Sequence, residues 1–479
     1  MGAMRPNVLL VVLDTARRDA FTPYGAPSSA TPTIAQLAER GSAHTGVYAP
    51  ACWTVPSHGS MFTGLLPRSA GLDHVGGTTP AAFRAALVAQ QHRSLPAFLN
   101  GEGYATAGIS ANAWVHRRTG FDLGFDTFRS LNGHRHDGLT NDGFRHRARW
   151  YLDALRAHVD DGASLIEEQL GAWMTRRDHR PFFWFVNLVE CHSPYLPPRP
   201  HHTLSALDRI RAATDVRRHL TLGGVWKAAV GGYDVTEAAM ARMRALYAGA
   251  IQLMDAWLAR VLQMLDDHGA LDDTQVVITS DHGENLGEGC MLGHSFSLDD
   301  RLIRVPLVTA GPTALRAPPV TTLARLPALI AESVGIEDHP WAGDRPSDGV
   351  AVAQFDAPGT LGDDRVTAAL HEWGLGADAE RRLCTSFAAA TDGNHKLVRR
   401  LGREELIDLQ RDPLEEGPVI VGGPEERAHG GVLVRLRAAL DDAEAAEIPR
   451  PATPEGTGPA LDREEAAELE EQLRLLGYL

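Results

Sequence analysis

The chain has 479 residues, of which 44% are hydrophobic, so it can bury the core of one large domain or of a large and a smaller one. It contains no run of about 18 apolar residues, which excludes a membrane-spanning helix and gives no reason to expect a membrane partner. The net charge of -15 argues against a nucleic-acid polymer as a partner but permits a small anionic substrate at a locally positive site. The composition indicates neither a monomer nor an oligomer.

The cysteines and the N-terminal segment indicate a reducing compartment. Cys52, Cys191, Cys290 and Cys384 are far apart and form no CxxC pair, so we predict reduced thiols rather than a disulfide frame or a zinc knuckle. The first apolar run ends early, at Asp14, and is too short and too quickly polar for a secretory signal. We therefore predict a cytoplasmic protein.

Apolar, β-branched runs alternate with helical patterns along most of the chain. In chain order, the patterns predict a buried strand over 7–14, a helix over 31–41, a helix, turn and strand over 94–112, a strand that runs into a loop over 181–195, a helix over 243–273 and a strand over 274–284. This alternation predicts an α/β fold with a mostly parallel central sheet and helices on both faces. Ligands of such sheets bind beyond the carboxyl ends of the strands.

Two segments have a different pattern. Residues 196–235 are rich in Pro, His and Arg with weak periodicity, and form either a lid or a long surface excursion. The pattern of residues 384–413 predicts antiparallel strands that are joined by a turn at Asp392-Gly393. We therefore predict a catalytic α/β domain over 5–344, a smaller C-terminal α+β subdomain with an antiparallel sheet over 345–449, and a linker with a terminal helix over 450–479.

Polar side chains follow buried strands at three places, with Asp14 after the first, His192 after another, and Asp281 with His282 after a third. Separately, Asp14 could be a helix N-cap and the segment SDHGE an ordinary strand end. Together, two strand-end carboxylates and an imidazole favour a metal site. Such a donor set suits Zn²⁺ or Mn²⁺ better than Ca²⁺, which prefers oxygen alone.

Thr54 precedes Val55-Pro56-Ser57, where a helix is predicted to begin. A hydroxyl at a helix N-terminus beside a divalent cation has a lowered pKa and becomes a nucleophile. Considered alone, Thr54 would be a helix N-cap.

These residues lie in motifs that resemble the alkaline phosphatase superfamily, in its sulfatase-like branch. The matching segments, in family order over residues 7–479, are NVLLVVLDTARRD, WTVPSHGSMFTGLLP, NLVECHSPYLPP, ITSDHGENLGE, RVPLV, DGNHKLV, ELIDLQRDP and LRLLGYL. The resemblance implies that Asp14, Thr54, Asp281 and His282 bind one divalent metal ion.

The chain departs from the sulfatase pattern at the nucleophile. Sulfatases of this branch carry Cys-x-Pro-x-Arg, whose cysteine becomes formylglycine, whereas here Thr54 stands two residues before Pro56 and His58 two residues after it. Cys52 is two residues out of frame, so we predict that it remains an unmodified, buried thiol. An Asp-Thr pair, 14–15, also replaces the Asp-Asp pair of the first strand. Both changes resemble threonine-nucleophile members, which are phosphodiesterases, phosphonate monoester hydrolases and phospho-group transferases.

The resemblance also implies substrate-binding residues. It places His192 at the substrate pocket and His294 where relatives have a Lys or His that faces the transferred group. We predict that both contact the substrate or the leaving group, although a lone histidine is more often a structural hydrogen-bonding residue. Many relatives hold a second zinc with an Asp-x3-His pair, but here Glu190 and His192 offer a different pair, so we predict one metal ion.

Weaker candidates for substrate binding are Arg17, Asn112 and His58, together with Glu284 as a further polar residue near the predicted site. Their alternative roles are packing salt bridges and turn hydrogen bonds.

We therefore predict a metal-dependent hydrolase of phosphate or phosphonate esters. In this mechanism Thr54 attacks phosphorus, His192 or His294 assists the leaving oxygen, and water breaks the resulting phospho-threonine. One alternative is transfer to an alcohol or amine acceptor. A second is a sulfatase without formylglycine, which is less favoured because a sulfated threonine lacks the gem-diol route that expels sulfate. A third is a non-catalytic binding protein, which would have little reason to keep all these polar groups.

Overall fold

The computed structural model describes residues 5–72, 79–131, 143–157, 160–343, 349–421 and 429–448. The strands are β1 (Asn7–Leu13), β2 (Ser42–His44), β3 (Val47–Tyr48), β4 (Ala105–Ser110), β5 (Thr127–Ser130), β6 (Phe182–Leu188), β7 (Thr274–Thr279), β8 (Asn285–Leu286), β9 (Leu292–Gly293), β10 (Leu307–Ala310), β11 (Thr321–Thr322), β12 (Ala351–Phe355), β13 (Phe387–Thr391), β14 (His395–Arg400), β15 (Arg403–Asp408) and β16 (Val419–Ile420). The helices are α1 (Pro32–Arg40), α2 (Thr54–Thr63), α3 (Pro80–Ala89), α4 (Leu95–Gly101), α5 (Phe144–Arg156), α6 (Ala163–Arg176), α7 (Ala206–His219), α8 (Leu222–Lys227), α9 (Glu237–Asp267), α10 (Asp300–Ile303), α11 (Leu326–Ser333), α12 (Asp364–Trp373), α13 (Ala377–Leu383) and α14 (Gly430–Ala445).

The central sheet has the strand order β2-β10-β7-β1-β6-β4-β5. Strand β1 lies in its middle and pairs in parallel with β7 on one side and β6 on the other. Strands β4 and β5 continue the parallel part, whereas β10 runs antiparallel to β7 and to β2. The predicted α/β class with a mostly parallel sheet is confirmed.

Helices cover both faces of this sheet, as the alternation of side chains along β1 shows. Val8, Leu10 and Val12 pack with residues of α2, α3 and α11 on one face. Leu9 and Val11 pack on the other face with residues of α6, α7 and α9. A strand that is buried on both faces needs a continuous apolar sequence, and NVLLVVL supplies one.

Residues 196–235, predicted as either a lid or a long surface excursion, are largely helical. They contain α7, α8 and a short π-helical segment, Ala228–Gly232. Helix α7 buries Ala212, Ala213 and Val216 in the same core as α9. Its apolar face consists mostly of small residues, which explains the weak periodicity of the sequence.

A second sheet, with the strand order β12-β13-β14-β15-β16, is antiparallel throughout. Helix α14 covers one face of it through Leu433, Leu436 and Leu440. The predicted C-terminal antiparallel sheet is confirmed, whereas the boundaries 5–344 and 345–449 remain predictions. The predicted linker and terminal helix, 450–479, lie outside the described residues. Among the described helices, none combines the length and apolar character needed to cross a membrane.

Candidate metal centre and active site

Two carboxylates and an imidazole meet at the carboxyl ends of β1 and β7. Asp14 directly follows β1, and Asp281 with His282 follows β7, its parallel neighbour. One potential ligand atom from each of these residues lies within 4.8 Å of the others. All three side chains are fully buried. We call Asp14, Asp281 and His282 the metal cluster.

The carboxylates of the metal cluster fit a cation because each has an oxygen without a protein hydrogen bond. Asp14 Oδ2 accepts a hydrogen bond from Asn112 Nδ2 at 2.6 Å, but its Oδ1 has no partner. Asp281 Oδ1 accepts from the backbone N–H groups of Thr15 at 3.2 Å and His282 at 2.9 Å, while Oδ2 accepts no hydrogen bond. Burial and the nearby charge of Asp281 raise the pKa of Asp14. A cation between the open oxygens would remove this repulsion.

The tautomer and charge of His282 suit a neutral nitrogen ligand. Its Nδ1 lies 2.9 Å from the carbonyl oxygen of Gly283, to which it can donate a hydrogen bond, and this tautomer leaves the Nε2 lone pair free. Burial, followed by the neighbouring His294, lowers the pKa of His282 to about 3. The ring is therefore uncharged near neutral pH. With the two carboxylates, it offers a donor set of oxygen and nitrogen for a divalent metal.

Thr54 is the first residue of α2, and its side chain is fully buried beside the metal cluster. The distance from Thr54 Oγ1 to His282 Nε2 is 3.5 Å, and the distance to Asn112 Nδ2 is also 3.5 Å. The N-cap of α2 is Trp53, and no side chain caps the helix through a hydrogen bond. The helix-cap alternative therefore has no hydrogen bond to support it, and the helix N-terminus directs its dipole toward the hydroxyl.

The first turn of α2 also holds the loop that follows β7. Ser57 Oγ donates a hydrogen bond to the backbone oxygen of Asp281 at 2.6 Å. His58 Nδ1 lies 3.1 Å from the backbone oxygen of Thr54 and 3.4 Å from Asp281 Oδ2. The His58 ring is fully buried, with edge-on contacts to Phe121 and Phe185. The structure thus places the His58 ring against Asp281, which it can orient, and substrate contact by His58 remains a prediction.

His192 and His294 lie next to each other on the side of the metal cluster that includes His282. The ring centroids of His192 and His294 are 5.1 Å apart, and those of His294 and His282 are 4.6 Å apart. Glu284 Oε1 lies 3.2 Å from His294 Nδ1. Burial alone would lower the pKa of His294, but Glu284 and the carboxylates of Asp14 and Asp281 raise it above its usual value. This favours an imidazolium beside the site.

The other predicted substrate-binding residues have protein partners in the structure. The Asn112 amide bonds Asp14, as described above, and its Oδ1 accepts a hydrogen bond from the backbone of Trp114 at 2.7 Å. The Arg17 guanidinium pairs with Asp19 and Glu288, each at 2.7 Å, and donates to the backbone oxygen of Glu284 at 3.2 Å. For Arg17 and Asn112, substrate contact remains a prediction.

Glu190 is used at a helix N-terminus instead of at a second metal site. Its carboxylate oxygens accept hydrogen bonds from the backbone N–H groups of Asp161 and Ala163, at the start of α6. Burial and the nearby acidic residues raise the pKa of Glu190 to about 8. Among the described residues, the metal cluster is the one group of three or more His, Cys, Asp or Glu with ligand atoms this close together.

Cys52 lies in a different environment from Thr54, although only two residues separate them. Its side chain is fully buried and packs with Tyr48, Phe296 and Leu302. Burial raises the pKa of the thiol, so Cys52 remains a protonated, inert thiol near neutral pH.

Ser57 and the backbone N–H of Thr15 also hold Asp281, and neither was predicted from the sequence. Thr15 and Asp281 are separated by 266 residues, and Ser57 and Asp281 by 224. One signal was available for Ser57, since it lies on the first turn of the helix that presents Thr54. No comparable signal exists for a backbone N–H group.

Comparisons with known proteins agree with this architecture. The family model described as Sulfatase matches residues 6–332. The choline-sulfatase of Rhizobium meliloti (strain 1021) is 26% identical to the chain and is aligned over 93% of it and 88% of the relative. The multifunctional alkaline phosphatase superfamily protein PehA of Trinickia caryophylli is 26% identical over 64% of this chain and 68% of the relative.

A solved structure has a similar fold over nearly the whole chain. The phosphonate monoester hydrolase of Agrobacterium radiobacter aligns with a TM-score of 0.61 at 21% identity, over 93% of this chain and 96% of that protein. The resemblance inferred from the sequence motifs is confirmed.

Proposed function

The chain belongs to the sulfatase family of hydrolases, and on this premise we propose that it hydrolyses phosphate or phosphonate esters with Thr54 as the nucleophile. The observation that carries this proposal is the position of the Thr54 hydroxyl, buried at the N-terminus of α2 and 3.5 Å from His282 Nε2 of the metal cluster. No cysteine occupies the position that becomes formylglycine in sulfatases, because Cys52 is out of frame and buried elsewhere.

Asp14, Asp281 and His282, with the Thr54 oxygen as a further ligand, would hold one divalent ion. The imidazole ligand favours Zn²⁺ or Mn²⁺ over Ca²⁺. When bound, such an ion would lower the pKa of the threonine hydroxyl and compensate the charge of the transferred group. The chain's own residues account for the remaining steps.

The Thr54 hydroxyl first loses its proton to solvent, and its oxygen then attacks phosphorus in line with the leaving group. A bond forms between this oxygen and phosphorus, and the bond from phosphorus to the leaving oxygen breaks. The proton donor to the leaving oxygen is either His294, whose raised pKa favours an imidazolium, or His192, so that a neutral alcohol departs. Water then attacks phosphorus and breaks its bond to Thr54, which releases phosphate or phosphonate and restores the hydroxyl.

Three groups hold this arrangement in place. Asn112 donates a hydrogen bond to Asp14, His58 Nδ1 lies 3.4 Å from Asp281 Oδ2, and Glu284 Oε1 lies 3.2 Å from Nδ1 of His294. Because these partners are buried, the site needs little rearrangement during the reaction.

Sulfate ester hydrolysis is the second candidate, and transfer to an alcohol or amine acceptor uses the same first step. The sulfate candidate is supported by the names of relatives such as the choline-sulfatase. The identity of the nucleophile favours phosphorus, because a sulfated threonine lacks the gem-diol route by which formylglycine expels sulfate, so its turnover would need attack on sulfur.

A substrate panel distinguishes these candidates. We would assay the p-nitrophenyl esters of phosphate, phenylphosphonate and sulfate, and bis-p-nitrophenyl phosphate, with Zn²⁺ or Mn²⁺ added. We expect turnover of a phosphorus ester to exceed turnover of the sulfate ester by at least tenfold. A preference for the sulfate ester would refute the proposed substrate class. Added alcohols that divert the product into a new ester would indicate a transferase.

A further inference from the structure

An apolar groove lies away from the metal cluster, where the described chain ends. The groove has a volume of about 530 Å³ and lies between the C-terminal end of α2, helix α11, strand β12 and helix α14. Its apolar walls include Leu65, Leu66, Trp341, Val352 and Ala443. We call it the terminal groove.

The end of the described chain lies at the rim of the terminal groove. Ile448 is the last described residue, lines the groove and is 41% exposed. Its backbone N–H donates to the backbone oxygen of Arg68 at 3.3 Å, which holds the chain at this position. Whatever follows residue 448 therefore leaves from the edge of an apolar groove.

The sequence beyond Ile448 contains a segment that matches this groove. Residues 449–460 are rich in Pro and Gly and can span roughly 37 Å if extended, which allows the chain to turn back. In residues 461–479, Leu469, Leu473 and Leu476 stand at i, i+4 and i+7, the spacing of one helical stripe. A cavity of about 150 Å³ is what one deleted core leucine leaves, so the groove can hold roughly three such side chains.

The charges of the two partners are complementary. Residues 461–479 contain six acidic residues and two arginines, so their net charge is 2 − 6 = −4. The rim of the terminal groove includes His92, Arg93 and Arg325, with Asp442 as the acidic residue among its lining. An acidic amphipathic helix therefore suits both the walls and the rim.

We propose that residues 461–479 form an amphipathic helix that packs its leucine stripe into the terminal groove of the same chain. The helix bridges α2 and α11, next to the central sheet, and β12 and α14 of the C-terminal sheet. It thereby fixes the helix that presents Thr54 against the second sheet. This role is structural and does not depend on the substrate of the enzyme.

Disulfide trapping in the full chain tests this proposal. Cys290→Ser and Cys384→Ser would first remove the two thiols that are not fully buried. Ala446→Cys, which lines the groove, would then be combined in turn with Leu469→Cys, Leu473→Cys and Leu476→Cys. Ala445→Cys provides the matched control, because it is the adjacent exposed residue of α14 and does not line the groove.

We expect at least one Ala446→Cys pair to form a disulfide within one chain, in at least tenfold higher yield than its Ala445→Cys control. Equal yields for the two positions would overturn the proposal. Disulfides that link two chains would also overturn it, because they would place the segment on a second copy.

A stability measurement gives a second readout. Leu473→Asp with Leu476→Asp would put two charges into the groove and should lower the melting temperature by several degrees. Glu464→Gln with Glu471→Gln changes the opposite face of the helix and should leave the melting temperature nearly unchanged. A double Asp variant that melts like the wild type would contradict packing of this stripe.

Discussion

Two groups of buried carboxylates in this protein differ in whether a lysine of the chain accompanies them. The metal cluster contains two carboxylates, Asp14 and Asp281, and no cationic side chain of its own. In the second group, the ammonium of Lys396 lies 2.7 Å from carboxylate oxygens of Asp300 and of Glu415 and 2.9 Å from the backbone oxygen of Leu298.

The comparison shows how buried charge can indicate function. Lys396 is fully buried, and its carboxylate neighbours raise its pKa although burial alone would lower it. The protein therefore provides its own cation at this site, which joins β14 to the loop before α10. Among the described residues, no Lys or Arg lies within ion-pair distance of Asp14 or Asp281, and each carboxylate keeps an oxygen without a hydrogen bond, which fits a cation supplied from outside the chain.

Thr54→Ala should have the largest effect on rate, because it removes the proposed nucleophile beside the metal cluster. We expect a loss of at least about 10³-fold in kcat for the best phosphorus ester. Thr54→Ser keeps the hydroxyl and should retain measurable turnover. Near wild-type kinetics for Thr54→Ala would show that this hydroxyl is not the nucleophile.

Asp281→Asn tests the metal cluster through metal content and stability. Elemental analysis of the purified protein should show a stoichiometric divalent metal in the wild type and little in the variant, and a chelator should abolish wild-type activity. With metal removed from both proteins, the variant should melt at the same or a higher temperature, because it carries one fewer buried negative charge beside Asp14. Full activity in excess chelator would contradict the metal requirement.

Lys396→Met should lower stability, whereas metal-free Asp281→Asn should not, because Lys396→Met removes the cation that the protein provides. The carboxylates of Asp300 and Glu415 then lose their buried cation, and we expect the free energy of unfolding to fall by about 3–5 kcal/mol. Metal content should not change.

Lys227→Met is the matched control for this change, since the Lys227 side chain is 38% exposed and lies 3.8 Å from Asp234. Its effect on denaturant unfolding should stay within about 1 kcal/mol. If the two lysine variants lost the same free energy of unfolding, the predicted difference between the buried and the exposed ion pair would be contradicted.

Cys52→Ala should have the smallest effect on rate. The thiol packs in the core near Tyr48 and Phe296, so we expect a stability loss of about 1 kcal/mol and a kcat within about twofold of the wild type. The intact mass of the wild type should show an unmodified cysteine. A mass loss that maps to formylglycine at Cys52 would reverse the assignment of the nucleophile.

Much of this architecture could be predicted from the sequence, because the signals are local. The apolar run of β1 and the strand before Asp281 have the patterns of buried strands, and parallel strands present their carboxyl ends at the same edge of a sheet. That rule places Asp14 and Asp281 at the same edge of the sheet, and the pairing of β1 with β7 in the structure makes them neighbours. Helix α9 was also predicted, but it begins at Glu237 rather than at residue 243.

The remaining features depend on contacts between distant parts of the chain. The hydrogen bond from Asn112 to Asp14 joins residues that are 98 positions apart, and the cap of α6 by Glu190 spans 27 positions. Neither partner has a distinctive local pattern. Helix α7 was not predicted because its buried face uses Ala212 and Ala213, which have little hydrophobic contrast.

The identity of the nucleophile is tested most directly by trapping the covalent intermediate. Wild-type protein would be quenched in acid during turnover of a phosphate monoester, digested and analysed by tandem mass spectrometry, with Thr54→Ala as the control. We expect a mass increase of about 80 Da, the mass of one phosphoryl group, on Thr54 of the wild type and none in the control. A modification on Cys52 or another residue, or turnover by Thr54→Ala at the wild-type rate, would contradict the account.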